Sequence, residues 1–140
     1  MPAHMGRYLR RFFHPIQDWI GAHTADPELQ PFVLPLAKAF GRLQVATGQI
    51  AKAGLKDPNE AAAASSEYLK LFALVALAFL WARMAQTAMR QKDSSEPEFY
   101  EAKIKTAQFF MERVLPQTGA LLSSIMAGGS TLMNFSDDAF

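Results

Sequence analysis

Few side chains in this chain have the types and spacing that chemistry needs. The three histidines, His4, His14 and His23, lie far apart in helical register, and none follows a glutamate at the three-residue spacing used by di-metal sites in helical bundles. No metal-ligating residue is therefore assigned. Glu98 and Glu101 stand one turn apart, as paired carboxylates in catalysis can. They also open a helix, where the dipole favours negative charge, and that structural role is the one expected. Gly128 and Gly129 match neither a dinucleotide-binding nor a Walker phosphate loop and read as a helix stop. Arg7, Arg10 and Arg11 form one basic cluster that could hold an anion such as a phosphate. A solvated helix face, or contact with another domain, accounts for so short a run more simply. Phe109, Phe110, Trp19 and Trp81 could stack on a cofactor, but at helical spacing they read as core or interface. No catalytic and no cofactor-binding residue is assigned.

Composition narrows the classes further. Without cysteine there are no disulfides, thiolate metal sites or cysteine nucleophiles, and a cytoplasmic protein is expected. Fourteen basic against thirteen acidic residues give a net charge of +1, which does not suit binding to nucleic acid. The N-terminal apolar residues are interrupted by Arg10, Arg11, His14 and Asp18, so no export signal is expected. In the most apolar stretch, SSEYLKLFALVALAFLWARMAQ, only Leu71 to Ala82 are free of charge between Lys70 and Arg83. A membrane span needs about twenty apolar residues, so no transmembrane segment is expected.

The elements that would position these residues are helices. One runs from about Met5 to Gly21, with Met5, Tyr8, Leu9, Phe12, Ile16, Trp19 and Ile20 on one face and Pro15 as a kink. A second, 27–53, starts with Asp26 as cap and Pro27 at its first position, and ends at Gly54. Its stripe is Phe32, Leu36, Ala39, Phe40, Leu43, Thr47 and Ile50. A third, 58–92, begins with Asp57 as cap and Glu60 closing a capping box. Its apolar residues surround it: Leu69, Leu80 and Met84 on one face, Leu74 and Trp81 on another, Phe72, Val75 and Phe79 on a third. Such a helix is central to its bundle, or packs on its own bundle and on a second subunit. The fourth, 96–126, has Ser95 and Glu98 as a second capping box. Its stripe runs from Ala107 through Phe110, Met111, Val114, Thr118, Leu121 and Leu122 to Ile125, with a kink rather than a break at Pro116. Residues 128–140 form a tail. The fold class is all-α: an elongated up-and-down bundle of four main helices in a single domain, 1–140, with Gly41, Gly48, Ala73, Ala76, Ala78, Ala82 and Ala85 allowing close approach.

Three stretches carry a resemblance that periodicity does not supply: PAHMGRYLRRFFHPI, GRLQVATGQIAKAGLKDPNEAAAASSEYLKLFALVALAFLWARMA and FYEAKIKTAQFFMERVLPQTGALLSSIMAGGSTLM. Together they resemble the extra C-terminal domain, acetyl-CoA dehydrogenase C-terminal-like, of the larger bacterial acyl-CoA dehydrogenases, and are similar to the 3-methylmercaptopropionyl-CoA dehydrogenase group. The resemblance implies a C-terminal fragment of a flavoenzyme that oxidises an acyl-CoA to an enoyl-CoA. In that family a glutamate takes the α-proton, FAD accepts the β-hydride and an electron-transfer flavoprotein reoxidises the flavin. The glycine-rich segment before that glutamate has no match here, so the fragment is expected to be inactive and to hold no FAD. Its implied partners are the core domains of the parent dehydrogenase and, in a homo-oligomer such as a dimer, a second subunit. The alternative is a stand-alone helical oligomerisation or membrane-surface module.

Overall fold

The structure is a computed structural model and describes residues 4–139. The expectations for the ends of the 1–140 domain, and for the Met5 side chain, lie outside what is described. Among the described residues there are helices and no strand: α1 (Met5–His23), α2 (Gln30–Lys56), α3 (Pro58–Ala63), α4 (Ser65–Arg90), α5 (Pro97–Phe109), a π-turn (Phe110–Val114), α6 (Gln117–Met126) and α7 (Ser130–Met133), with a 3₁₀ turn at Asp137–Ala139. The all-α expectation holds.

Contacts give the helix directions. Phe12 stacks on Phe72 and Trp19 meets Phe79, so α1 runs parallel to α4. Thr47 meets Tyr68, while Glu28 and Met89 line one depression, so α2 runs antiparallel to α4. Arg42 reaches Thr118, and Lys38 shares a wall with Met111, so α5 and α6 run parallel to α2. These pairings make an up-and-down bundle.

The core is centred on α2. It buries Phe32, Val33, Leu36, Ala39, Phe40, Leu43 and Ala46, in the register its sequence stripe predicts. The buried line of α4 is Leu71, Val75, Ala78, Ala82, Ala85 and Ala88, where the alanines let neighbouring backbones come close. On the other half of the bundle, Ala107, Phe110, Met111, Leu115, Thr118 and Ile125 complete the core, as their common phase across Pro116 requires.

The structure corrects several boundaries. Asp26 caps a turn rather than α2 itself. Its carboxylate accepts the Glu28 amide at 3.0 Å and its carbonyl accepts the Leu29 and Gln30 amides, so Pro27 sits before the helix. Gly54 does not end α2, which continues to Lys56; a methyl group there would lie 3.1 Å from the Ala61 Cβ, so its smallness serves the close approach of α3. Gly41 and Gly48 face open space, and Ala73 is exposed, so they bring no helix close. The third predicted helix is two, divided at Ala64, whose φ and ψ of −92° and −1° lie at the bridge edge of the right-handed helical region. Ser95 and Glu98 form no capping box; the Glu96 amide is held instead by Ser94 Oγ at 3.4 Å. Around Pro116 the helix is interrupted. The Leu115 amide bonds to the Phe110 carbonyl five residues back, closing a π-turn that takes up the proline's missing donor and its crowding of the preceding turn.

Of the two placements expected of α4, central burial within the bundle is not found. Its most apolar 18-residue window has a mean hydropathy of 1.6, enough by length and composition to cross a membrane, yet only 28% of it is buried. Leu69, Leu77, Leu80 and Met84 stay exposed. These two environments predict different costs. Phe32→Ala should destabilise the chain by about 3–5 kcal/mol and Leu36→Ala by about 2–5 kcal/mol in urea unfolding, while Leu77→Ala should stay within about 1 kcal/mol.

Candidate functional site

Leu69, Ala73, Leu77, Leu80 and Met84 recur every three or four residues and therefore share one side of α4. That side points away from the buried alanine line. Leu69 is 70% exposed and Leu80 50% exposed, and neighbouring Phe99 on α5 is 52% exposed. Between α4 and α5 lies a groove of about 430 Å³, with Leu80, Met84, Thr87 and Phe99 in its lining and Arg83 and Lys103 beside them. Both cations fold over aromatic rings: Arg83 Cζ is 5.5 Å from the Phe79 centroid, and Lys103 Nζ is 5.2 Å from that of Phe99. Such packing steadies a positive rim without neutralising it. An apolar floor with a basic rim is suited to binding a surface.

The opposite sides of α4 are covered from within the chain. Phe72 stacks on Phe12 with centroids 4.3 Å apart, and Phe79 meets Trp19 edge-on. Trp81 lies 6.5 Å from Phe110. Of the three apolar faces read from the sequence, Leu69/Leu80/Met84 is therefore the open one. Trp19 and Trp81 belong to helix packing, as does Phe110, whereas Phe109 is exposed.

Other sequence candidates fall into place separately. Arg7, Arg10, Arg11 and His14 surround a shallow depression on α1 and are all exposed; the Arg10 side chain donates to the Gly6 carbonyl of its own helix. Glu98 and Glu101 are exposed near the start of α5. Glu101 pairs with Lys105 at 2.9 Å, and this hydrogen bond, aided by the ammonium charge, holds its carboxyl below the ordinary carboxylate value. The histidines do not come together; among the described residues no three histidine or acidic side chains are placed to hold a metal ion. His23 instead belongs to a clasp between α1 and α4. Its Nδ1–H donates to the Trp19 carbonyl at 2.7 Å, leaving Nε2 to accept from the Gln86 amide at 2.8 Å, while Gln86 Oε1 accepts from the Trp19 indole at 3.3 Å.

Two long-range contacts had no sequence signal beyond the residue types. Glu60, expected to close its own capping box, accepts the Gly129 amide at 2.9 Å and so ties the start of α7 to α3. Asp57 does cap α3, through the Asn59 amide. Arg42 donates to Thr118 Oγ1 at 2.9 Å, and the Thr118 hydroxyl in turn donates to the Leu115 carbonyl at the end of the π-turn. Gly128 has φ = +76°, the left-handed conformation of a helix stop.

A protein-family model described as "Acetyl-CoA dehydrogenase C-terminal like" matches residues 12–136. No curated protein matches the chain.

Two measurements check this geometry. Gln86→Leu should cost about 1–3 kcal/mol in thermal or urea unfolding, because it strands the Trp19 and His23 ring nitrogens at a half-buried contact. In an NMR titration Lys105→Ala should raise the Glu101 midpoint toward the ordinary carboxylate range. A lowered carboxyl pKa stabilises the fold above the unfolded pKa and loses that effect as pH falls through the folded value. At so exposed a pair the unfolding midpoint should barely change with the substitution.

Proposed function

The chain belongs to the acetyl-CoA dehydrogenase C-terminal-like family, and from that membership we propose that it serves as a non-catalytic accessory domain of an FAD-dependent acyl-CoA dehydrogenase. The observation that carries the proposal is the family match over residues 12–136, nearly the whole chain. In this reading the parent enzyme oxidises an acyl-CoA to an enoyl-CoA in the cytoplasm, as the 3-methylmercaptopropionyl-CoA dehydrogenases do, and passes electrons to an electron-transfer flavoprotein. FAD and the catalytic base sit in the parent's core domains.

The domain contributes surface. The exposed Leu69/Leu77/Leu80/Met84 side of α4, with Phe99 and the basic Arg83–Lys103 rim, is the face proposed to meet the core domains and the second subunit of a homo-oligomer. Supporting this is the apolar character of the face, which a free-standing domain gains nothing by exposing.

One observation favours a second reading. The hydropathy of α4 would also suit a membrane-surface module, with Arg83 and Lys103 turned to anionic headgroups. Co-sedimentation with vesicles containing anionic lipid, sensitive to Leu80→Lys, would favour it.

For the accessory-domain reading, the purified 140-residue chain should show no flavin absorbance and no acyl-CoA-dependent dye reduction; turnover by the chain alone would overturn it. Light scattering should show concentration-dependent association that Leu80→Lys reduces at least about tenfold, since it places a charge in an apolar contact. A strictly monomeric chain would remove this face from the subunit interface.

A further inference from the structure

Away from the α4–α5 groove, α1, α2, α3 and the first turn of α4 leave a cavity of about 350 Å³ between them. Its walls include Leu9, Ile50, Ala51, Leu55, Pro58 and Ala61, and among the described residues no charged side chain lines it. Pockets of this size, apolar with a few fixed polar groups, are those that hold small molecules. The polar groups here are the hydroxyls of Thr47 and Tyr68, and their protons can be placed.

Thr47 Oγ1 lies 2.7 Å from the Leu43 carbonyl oxygen. A carbonyl only accepts, so the single threonine proton is committed to that bond. Thr47 Oγ1 is also 2.7 Å from Tyr68 Oη. With the threonine proton spent, the proton in this second bond comes from tyrosine. The relay runs from Tyr68 O–H to Thr47 O–H to the Leu43 carbonyl, and Tyr68 Oη is left with acceptor capacity alone. Burial pushes the Tyr68 phenol above its ordinary value of 10.0, against a smaller opposing effect of the Thr47 bond, so the relay keeps its proton at neutral pH.

A ligand is selected by this arrangement. A carboxylate would enter an apolar cavity without a cation and against an acceptor. An ether would set acceptor against acceptor, and a plain hydrocarbon would strip water from Tyr68 Oη and return no hydrogen bond. We propose that this cavity binds a neutral apolar molecule presenting one hydrogen-bond donor to Tyr68, with a medium-chain primary alcohol as the simplest member of the class. The proposal is independent of the dehydrogenase reading.

The test uses the 140-residue chain and three probes, 1-octanol, octyl methyl ether and octanoate, followed by amide NMR. 1-Octanol should give saturable shifts at Thr47, Ala51, Gly54, Ala61 and Tyr68, and bind about tenfold more tightly than the ether or octanoate, as one hydrogen bond is worth. Tyr68→Phe should bring octanol down to the level of the ether. If that variant loses helical structure, Thr47→Val serves instead: it frees the tyrosine proton to face the cavity, so the preference for alcohol over ether should collapse. Equal binding of alcohol and ether to the native chain, no saturable shifts at these amides, or an unchanged preference in either folded variant would overturn the proposal.

Discussion

The fold depends on how closely α4 can approach its neighbours. Ala78, Ala82 and Ala85 are fully buried on one line of that helix, and a side chain longer than a methyl there would push α4 away from its neighbours. Because α4 offers small residues inward, the volume of the core is supplied from the other side, by Phe32, Leu36, Phe40 and Leu43 of α2. Phe110, Met111 and Ile125 fill the space toward α5 and α6. Phe12 and Trp19 then close the third side with aromatic contacts to Phe72 and Phe79.

The π-turn extends the same constraint. Pro116 forces an interruption, and a simple break would move α6 out of register with the alanine line. Closing one wider turn from Phe110 to Leu115 keeps Thr118 and Ile125 on the face that Phe110 and Met111 already occupy. Arg42 supports that register from α2. It bonds Thr118 Oγ1 where Gly119 leaves room for the guanidinium, since a methyl group at Gly119 would stand 3.2 Å from Arg42 Nη2.

Which parts were legible follows from what each signal measures. Periodicity reports a buried face, so the stripes of α2 and of α5–α6 could be read before any contact was known. Local caps were only half legible. Asp57 caps α3 because its partner is two residues away, but Glu60 is drawn to Gly129, a partner no short-range rule contains. The hairline break at Ala64 was hidden because alanine carries the strongest helix propensity. The Thr47–Tyr68 relay was invisible for another reason: it joins two helices at a point where neither residue departs from ordinary helix composition.

The apolar wheel left two placements open for α4 because it counts apolar residues without regard to their size. A lone soluble bundle gains most by turning large side chains inward, where each buried leucine contributes about 1.5–3 kcal/mol. In α4 the order is reversed: four of the six buried residues are alanine, while Leu69, Leu77, Leu80 and Met84 face out. Evenly apolar composition cannot distinguish this from central burial, and only the division between the two sides can. α4 thus spends alanines, Leu71 and Val75 on its buried line, packs Phe72, Phe79 and Trp81 against its neighbours, and leaves one leucine-rich side open, the side that the proposed function sets against the parent's core domains. The basic residues limit what that is: with Arg83 and Lys103 beside the groove, a covering surface must bring apolar groups to Leu80 and Phe99 while leaving acceptors, acidic ones best, at the rim.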